Sequence, residues 1–226
     1  MENQSKSISH LDILDIYGCS SLKEFSFSSD KITHFGIDYT DIEILDLSIS
    51  HMENLRSLSL DSAPLKILPI NEICCMRYLH ELNLDYCGGI IDKSKLYTLF
   101  DALPFLTSVS LQGACKLTEL PNNVKYLSRL QDLCVGACKS LQSIPELPPS
   151  IEELYASECS SLKTLQLTSH IESSLLPDEI KLGSTLSSPV NYLINLRELN
   201  LGGCKQRNWM NSLNSSTPYL RYIHWS

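Results

Sequence analysis

Asp38, Asp61 and Asp85 recur at intervals of 23 and 24 residues, and Tyr39 and Tyr86 directly follow the first and third. Carboxylates brought into line at such a period repel one another unless water and counter-ions screen them or a cation-rich partner neutralises them. Tyrosine beside them supplies a side chain that often anchors protein interfaces. Two readings follow: a docking strip for a basic peptide or protein surface, or a solvated wall with no dedicated ligand. His34 and His80 fall near carboxylates, yet neither has a Ser or Cys nucleophile beside it with a third group to orient it, so the chain reads as no enzyme. Together with His80 and Tyr155, the candidate partner-binding set is Asp38, Tyr39, Asp61, His80, Asp85, Tyr86 and Tyr155, with no catalytic residue, metal ligand or cofactor.

What must position these residues is a repeat. Leu55, Leu58, Leu60, Ala63, Leu65 and Leu68 spell LxxLxLxxAxLxxLP, and the same skeleton starts at Leu11, Ile32, Leu79, Leu106, Leu130, Ile151, Leu196 and, cut short, Leu220. The starts are separated by 21, 23, 24, 27, 24, 21, 45 and 24 residues, mostly inside the 20 to 29 window of leucine-rich repeats. Within each copy the LxL pair places two apolar side chains on one face of a short strand. One coil cannot bury that face alone, so stacked coils make a parallel sheet with a continuous core behind it. The expected fold is an α/β right-handed leucine-rich-repeat solenoid, a horseshoe of about eight coils and a partial one. Its parallel β-sheet lines the concave face, and short helices or 3₁₀ segments line the convex face. The variable residues flanking the strand leucines, including the candidate set, then face a partner across the concave wall.

The nine cysteines fit the same frame. Cys19, Cys87, Cys138, Cys159 and Cys204 share one position just after the strand, where a small weak donor can reach the neighbouring coil's carbonyl. They lie one per coil, without a CxxC pair, which disfavours a metal site. Unpaired buried thiols suit a reducing compartment. Cys115 stands one place late, with Ala114 in the ladder position, so that coil is expected to carry a local slip.

With 226 residues, 43% hydrophobic content and a formal charge of −8, the chain can bury one elongated core, residues 1–226 forming a single repeat domain. The acidic balance argues against general nucleic-acid affinity. No signal-peptide pattern opens the chain, and no apolar run reaches membrane-spanning length. The cytoplasm is the expected compartment, with the nucleus also accessible. Between copies, IIDKSKLYTLFDALPF carries Leu96, Leu99, Phe100 and Leu103 at helical spacing, with Asp92 or Ser94 to cap it and Pro104 to end it. PINEICCMRYL and PNNVKYLSRL leave room for a turn or two. The Ser-rich stretch at about 166–195 reads either as a degenerate coil or as an exposed insertion. The last copy stops just after Leu220, Ile223 and Trp225, leaving an apolar edge that further chain or a partner covers, unless the chain is a truncated product.

The form LxxLxLxxCxxLxxLP, and above all SIPELPPSIEELYASECSSLKTL from Ser143 to Leu165, resembles the repeat domain of plant intracellular immune receptors. The match is to the class with an N-terminal Toll/interleukin-1-receptor domain and a nucleotide-binding domain, and covers about residues 8 to 205. The resemblance implies a truncated piece of such a disease resistance protein. Its partner would be a pathogen effector, a host guardee or the nucleotide-binding domain of the same receptor, sensed or restrained by these coils. No GxxxxGK[ST] phosphate loop is present, so nucleotide binding would belong elsewhere in a longer protein. The competing reading is an adaptor scaffold that selects substrates for a ubiquitin ligase; an F-box-like segment would favour it, and none is visible.

Overall fold

The computed structural model describes residues 11–27, 29–47, 52–166, 168–169, 191–193, 195–205, 217 and 219–224. Its strands are β1 (Ile13–Asp15), β2 (Glu24–Phe27), β3 (His34–Gly36), β4 (Ile44–Leu47), β5 (Ser57–Ser59), β6 (Glu81–Asn83), β7 (Ser108–Ser110), β8 (Asp132–Cys134), β9 (Ser143–Ile144), β10 (Glu153–Tyr155), β11 (Thr164–Leu165), β12 (Thr168–Ser169), β13 (Asn191–Tyr192), β14 (Glu198–Asn200) and β15 (Tyr222–His224). β1, β3, β5, β6, β7, β8, β10, β14 and β15 form one nine-stranded sheet in that order. Every pairing in it is parallel and in register, the leucines meeting as Leu58↔Leu82, Leu82↔Val109, Val109↔Leu133 and Leu133↔Leu154. The middle residue of each central strand is buried and its two neighbours are half-buried or exposed, as the alternation of strand side chains requires. One apolar core runs unbroken behind the sheet from Ile32 to Leu201.

The return segments follow spacer length. Where copies start 27 residues apart, a 3₁₀ turn at Gly88–Ile90 precedes helix α2 (Lys93–Ala102), whose N-terminus is capped by Asp92 Oδ1 accepting from the Lys95 amide at 3.0 Å. Spacings of 24 allow one turn, in α1 (Ile70–Ile73) and the 3₁₀ segment Asn122–Tyr126. The coils with spacings of 21 and 23 show no helix there among the described residues: β2 pairs with β4, and β9, in the coil opened by Leu130, pairs with β11 in the copy opened by Ile151. The expected short helices and 3₁₀ segments of the convex side are found in the longer coils, and extended strands in these. A strand advances about 3.3 Å per residue and a helix about 1.5 Å, so a short segment must stay extended to cover the same height.

Two further findings concern the expected irregularities. Coil five shows no slip at Cys115: Asn83↔Ser110 and Ser110↔Cys134 keep register, Ala114 is buried at the ladder position and Cys115 is exposed. Alanine fits the buried site in place of cysteine, so the chain has no cause to shift. Most of 166–195 lies outside the described residues; its ends meet in the antiparallel pair of β12 with β13, and β10 hydrogen-bonds directly to β14. Trp225 likewise lies outside the described residues.

Candidate partner-binding surface

Each coil leaves its strand through the same tight turn. Gly18, Tyr39, Ser62, Tyr86, Gly113, Ala137, Glu158 and Gly203 occupy one repeat position, and all eight have φ between 50° and 75°. Left-handed backbone costs a non-glycine residue about 1–2 kcal/mol, so something must hold it. A hydrogen-bond ladder does: from Gly18 to Glu158 each turn amide donates to a carbonyl of the next coil, Tyr39 to Asp61 and Ser62 to Asp85 at 2.8 Å, Tyr86 to Gln112 and Ala137 to Ser157 at 2.7 Å. One place later the thiols of Cys87, Cys138, Cys159 and Cys204 donate back to Leu60, Leu111, Val135 and Ala156 carbonyls at 2.9 to 3.2 Å. Burial pushes the Cys87 and Cys159 thiols up to about 12 and Cys138 to about 11, which keeps them protonated donors. Cys19 is exposed and reaches only Tyr17 of its own coil, since among the described residues no coil precedes it.

This turn carries the aspartate column, and the structure gives two of the three a structural task. Asp38 Oδ1 accepts from Ser59 Oγ at 2.6 Å and the Asp61 amide at 3.0 Å. Asp85 Oδ1 accepts from Ser110 Oγ and the Gln112 amide, both at 2.6 Å. Each thus clamps the following coil. Burial raises both carboxyls above the ordinary value of 3.8, against those hydrogen bonds, and neighbouring aspartates raise them further. Asp61 breaks the pattern because Asn83, at the equivalent place in the next coil, turns its own Oδ1 onto the Asp85 amide at 3.0 Å. Asp61 instead accepts from Ser62 Oγ at 2.8 Å and from the Tyr39 hydroxyl. That last bond, followed by the negative charge of Asp61, raises the Tyr39 phenol.

Tyr39 is 54% and Tyr86 48% exposed. The Tyr39 ring lies 5.4 Å from that of Tyr17, which is 67% exposed. The Tyr86 ring lies over Gly113, where a Cβ would come within 2.5 Å of it, and its hydroxyl accepts from Gln112 Nε2 at 2.8 Å. Asp38, Tyr39, Asp61, Asp85 and Tyr86 therefore share one strip along the trailing edge of the sheet.

His80 and Tyr155 stand apart from it. His80 sits at the leading edge of β6, five residues before Asp85, on the order of 15 Å along an extended chain. Its Nδ1 is buried without a hydrogen-bond partner. Tyr155 lies three coils beyond Asp85, its hydroxyl donating to Glu153 Oε2 at 2.8 Å. Burial, then that hydrogen bond, raises its phenol, and Glu198 adds to the effect. Glu198, absent from the sequence-derived candidate set, stands in register with Glu153 and Asp132 as Asp132↔Glu153↔Glu198. Counting two places on from Leu196 would have found it. Among the described residues no group of His, Cys, Asp and Glu is arranged to hold a metal ion, and no helix is long and apolar enough to cross a membrane.

No family model matches the chain. It is 29% identical to Disease resistance protein RPS4B of Arabidopsis thaliana over 175 residues, covering 70% of this chain and 15% of that protein. It is 34% identical to Disease resistance protein RPS4 of the same plant over 156 residues, covering 62% of this chain and 13% of that protein. The chain thus spans less than a sixth of these relatives' length. Among solved structures, the leucine-rich repeat domain of the type III effector XopL superposes with a TM-score of 0.63 at 20% identity, covering 94% of this chain and 75% of that one. At that identity the likeness bears on fold alone. The coils make this chain a leucine-rich-repeat domain, similar in sequence to plant disease resistance proteins over 62 to 70% of its length.

Proposed function

We propose that the chain is the non-enzymatic protein-recognition module of a plant innate immune receptor, acting in the cytoplasm. It senses a pathogen effector or host guardee, or restrains the receptor's nucleotide-binding domain, by docking a basic surface on the strip of Asp38, Tyr39, Asp61, Asp85 and Tyr86. The observation that supports this reading is the strip itself: carboxylates of three successive coils with two half-exposed tyrosines beside them. Kinship with disease resistance proteins supplies the setting. His80 and Tyr155 would contact a partner only beyond the strip's margins.

The test titrates the purified chain against the nucleotide-binding domain of the receptor that carries it. Asp38 and Asp85 are left intact because they clamp the neighbouring coil; the variant combines Asp61→Lys, Tyr39→Ala and Tyr86→Ala. The expected result is micromolar binding that weakens with salt and a Kd at least about tenfold higher in the variant. An unchanged Kd and salt dependence would remove the strip from the interface.

A further inference from the structure

The opposite edge of the sheet has the opposite chemistry. The chain contains six arginines, and all five in the described residues, Arg56, Arg77, Arg129, Arg197 and Arg221, stand within two positions of the leucine that opens a coil. Lys31 alone among the described lysines shares that placement. The backbone ladder lines up the position just after the opening leucine, which holds Arg56, Arg197 and Arg221, with Arg77 and Arg129 two residues or one before that leucine: the His80 amide donates to Arg56, Thr107 to His80, Gln131 to Thr107, Glu152 to Gln131, Arg197 to Glu152 and Arg221 to Arg197, all at 2.8 to 2.9 Å. All five side chains are exposed. Arg197 pairs with Glu152 at 3.1 Å; the other four make no ion pair among the described residues.

The cations come with rings. Tyr78, Phe105 and Arg129 each immediately precede the opening leucine in three successive coils. Tyr78 stacks on Phe105 at 6.0 Å and 21°, and the Arg129 guanidinium lies 4.7 Å from the Phe105 centroid. Tyr78 remains 58% exposed. Farther along, Asn195, Arg197, Tyr219 and Arg221 enclose a cavity of 230 Å³.

We propose that this leading edge binds an acidic polypeptide segment, its carboxylates on Arg77, Arg129 and Arg221 and an apolar side chain against Tyr78 and Phe105. Arginine is the cation suited to it, since its planar fork meets carboxylates bidentately and stacks on rings. A polypeptide fits better than a nucleic acid because the same column holds Glu152, and the chain's charge of −8 repels a continuous polyanion. The site is separate from the trailing strip and opposite to it in preferred charge.

The test measures binding of a fluorescent random Glu–Tyr copolymer to the full chain at low salt. A thymidine oligonucleotide of equal charge is the comparator, and sedimentation velocity reports self-association. Saturable copolymer binding is expected, weakened at least tenfold by Arg77→Glu with Arg129→Glu and about threefold by Arg129→Lys, which keeps the charge and loses the planar stack. Asp61→Lys is expected to leave it intact. No copolymer binding, equal binding by a double variant with unchanged circular dichroism, tighter binding of the oligonucleotide, or self-association abolished by the same double variant would each overturn the assignment.

Discussion

Asp85 separates two effects that act on the same atom, and two substitutions pull them apart. Its Oδ1 receives the Ser110 hydroxyl and the Gln112 amide, each at 2.6 Å. In Asp85→Ala the hydroxyl can rotate toward water, but the amide is fixed by the backbone and keeps no partner. A stranded donor costs about 1–3 kcal/mol, and loss of the hydroxyl bond about 1 kcal/mol more. Relief from holding a half-buried charge offsets part of that, giving a net loss of about 2 kcal/mol. Asp85→Asn keeps the acceptor and removes the charge that burial disfavours, so it stays within about 1 kcal/mol of the parent, on the stabilising side. The sign with pH follows. A carboxyl whose folded-state value lies above its unfolded value binds its proton more tightly when folded, so stability falls as pH rises through that window. The advantage of Asn over Asp is therefore full above the raised value and vanishes as pH falls below 3.8. In a solenoid the effect is local, so amide hydrogen exchange at Gln112 is the direct assay. Exchange is expected to accelerate roughly 30-fold in Asp85→Ala and to stay within about fivefold in Asp85→Asn. Equal acceleration in both variants would show that the charge, not the acceptor, holds the coil. No change in Ala would show that the clamp contributes nothing.

Other perturbations read other parts of the structure. Leu82→Ala and Leu133→Ala, at side chains 1% and 0% exposed, are each expected to destabilise by about 2–5 kcal/mol in urea titrations, with exchange increased in the flanking coils first. Ala137→Gly at φ 54° replaces a strained left-handed residue and is expected to stabilise by about 0.5–1 kcal/mol, whereas Gly113→Ala meets the Tyr86 ring and destabilises. At pH 8 a thiol reagent is expected to modify exposed Cys19, Cys75 and Cys115 rapidly and to spare buried Cys87, Cys138 and Cys159 until unfolding. Fast labelling of Cys138 in the native protein would contradict its buried hydrogen bond.

The sheet was legible because its signal is redundant: the LxL pair recurs, and a one-place error would turn every strand over. Helix α2 was legible too, since Asp92, the 3.6-residue spacing of Leu96, Leu99 and Phe100, and Pro104 agree. The strands Glu24–Phe27 and Ile44–Leu47 of the short coils were not foreseen, because the repeat skeleton fixes their apolar positions without fixing the backbone there; segment length, rather than composition, required extension. The aspartate strip could be counted off the period, but not the division of labour within it. That division turns on Ser59 and Ser110 standing where the intervening coil has Asn83, whose amide oxygen caps its own turn. The arginine edge was not legible because it repeats at no single position: Arg77 and Arg129 stand before the leucine that opens a coil, and Arg56, Arg197 and Arg221 after it.

The central claim is that these coils are the sensing part of a larger immune receptor, and it is tested most directly by the mass of the polypeptide that carries them. An antibody raised against this chain, used on the source tissue with mass spectrometry of the captured band, is expected to find a protein far above 25.4 kDa with peptides of a nucleotide-binding domain. A band at 25.4 kDa alone would contradict the account, because the polypeptide would then carry no nucleotide-binding domain for these coils to restrain.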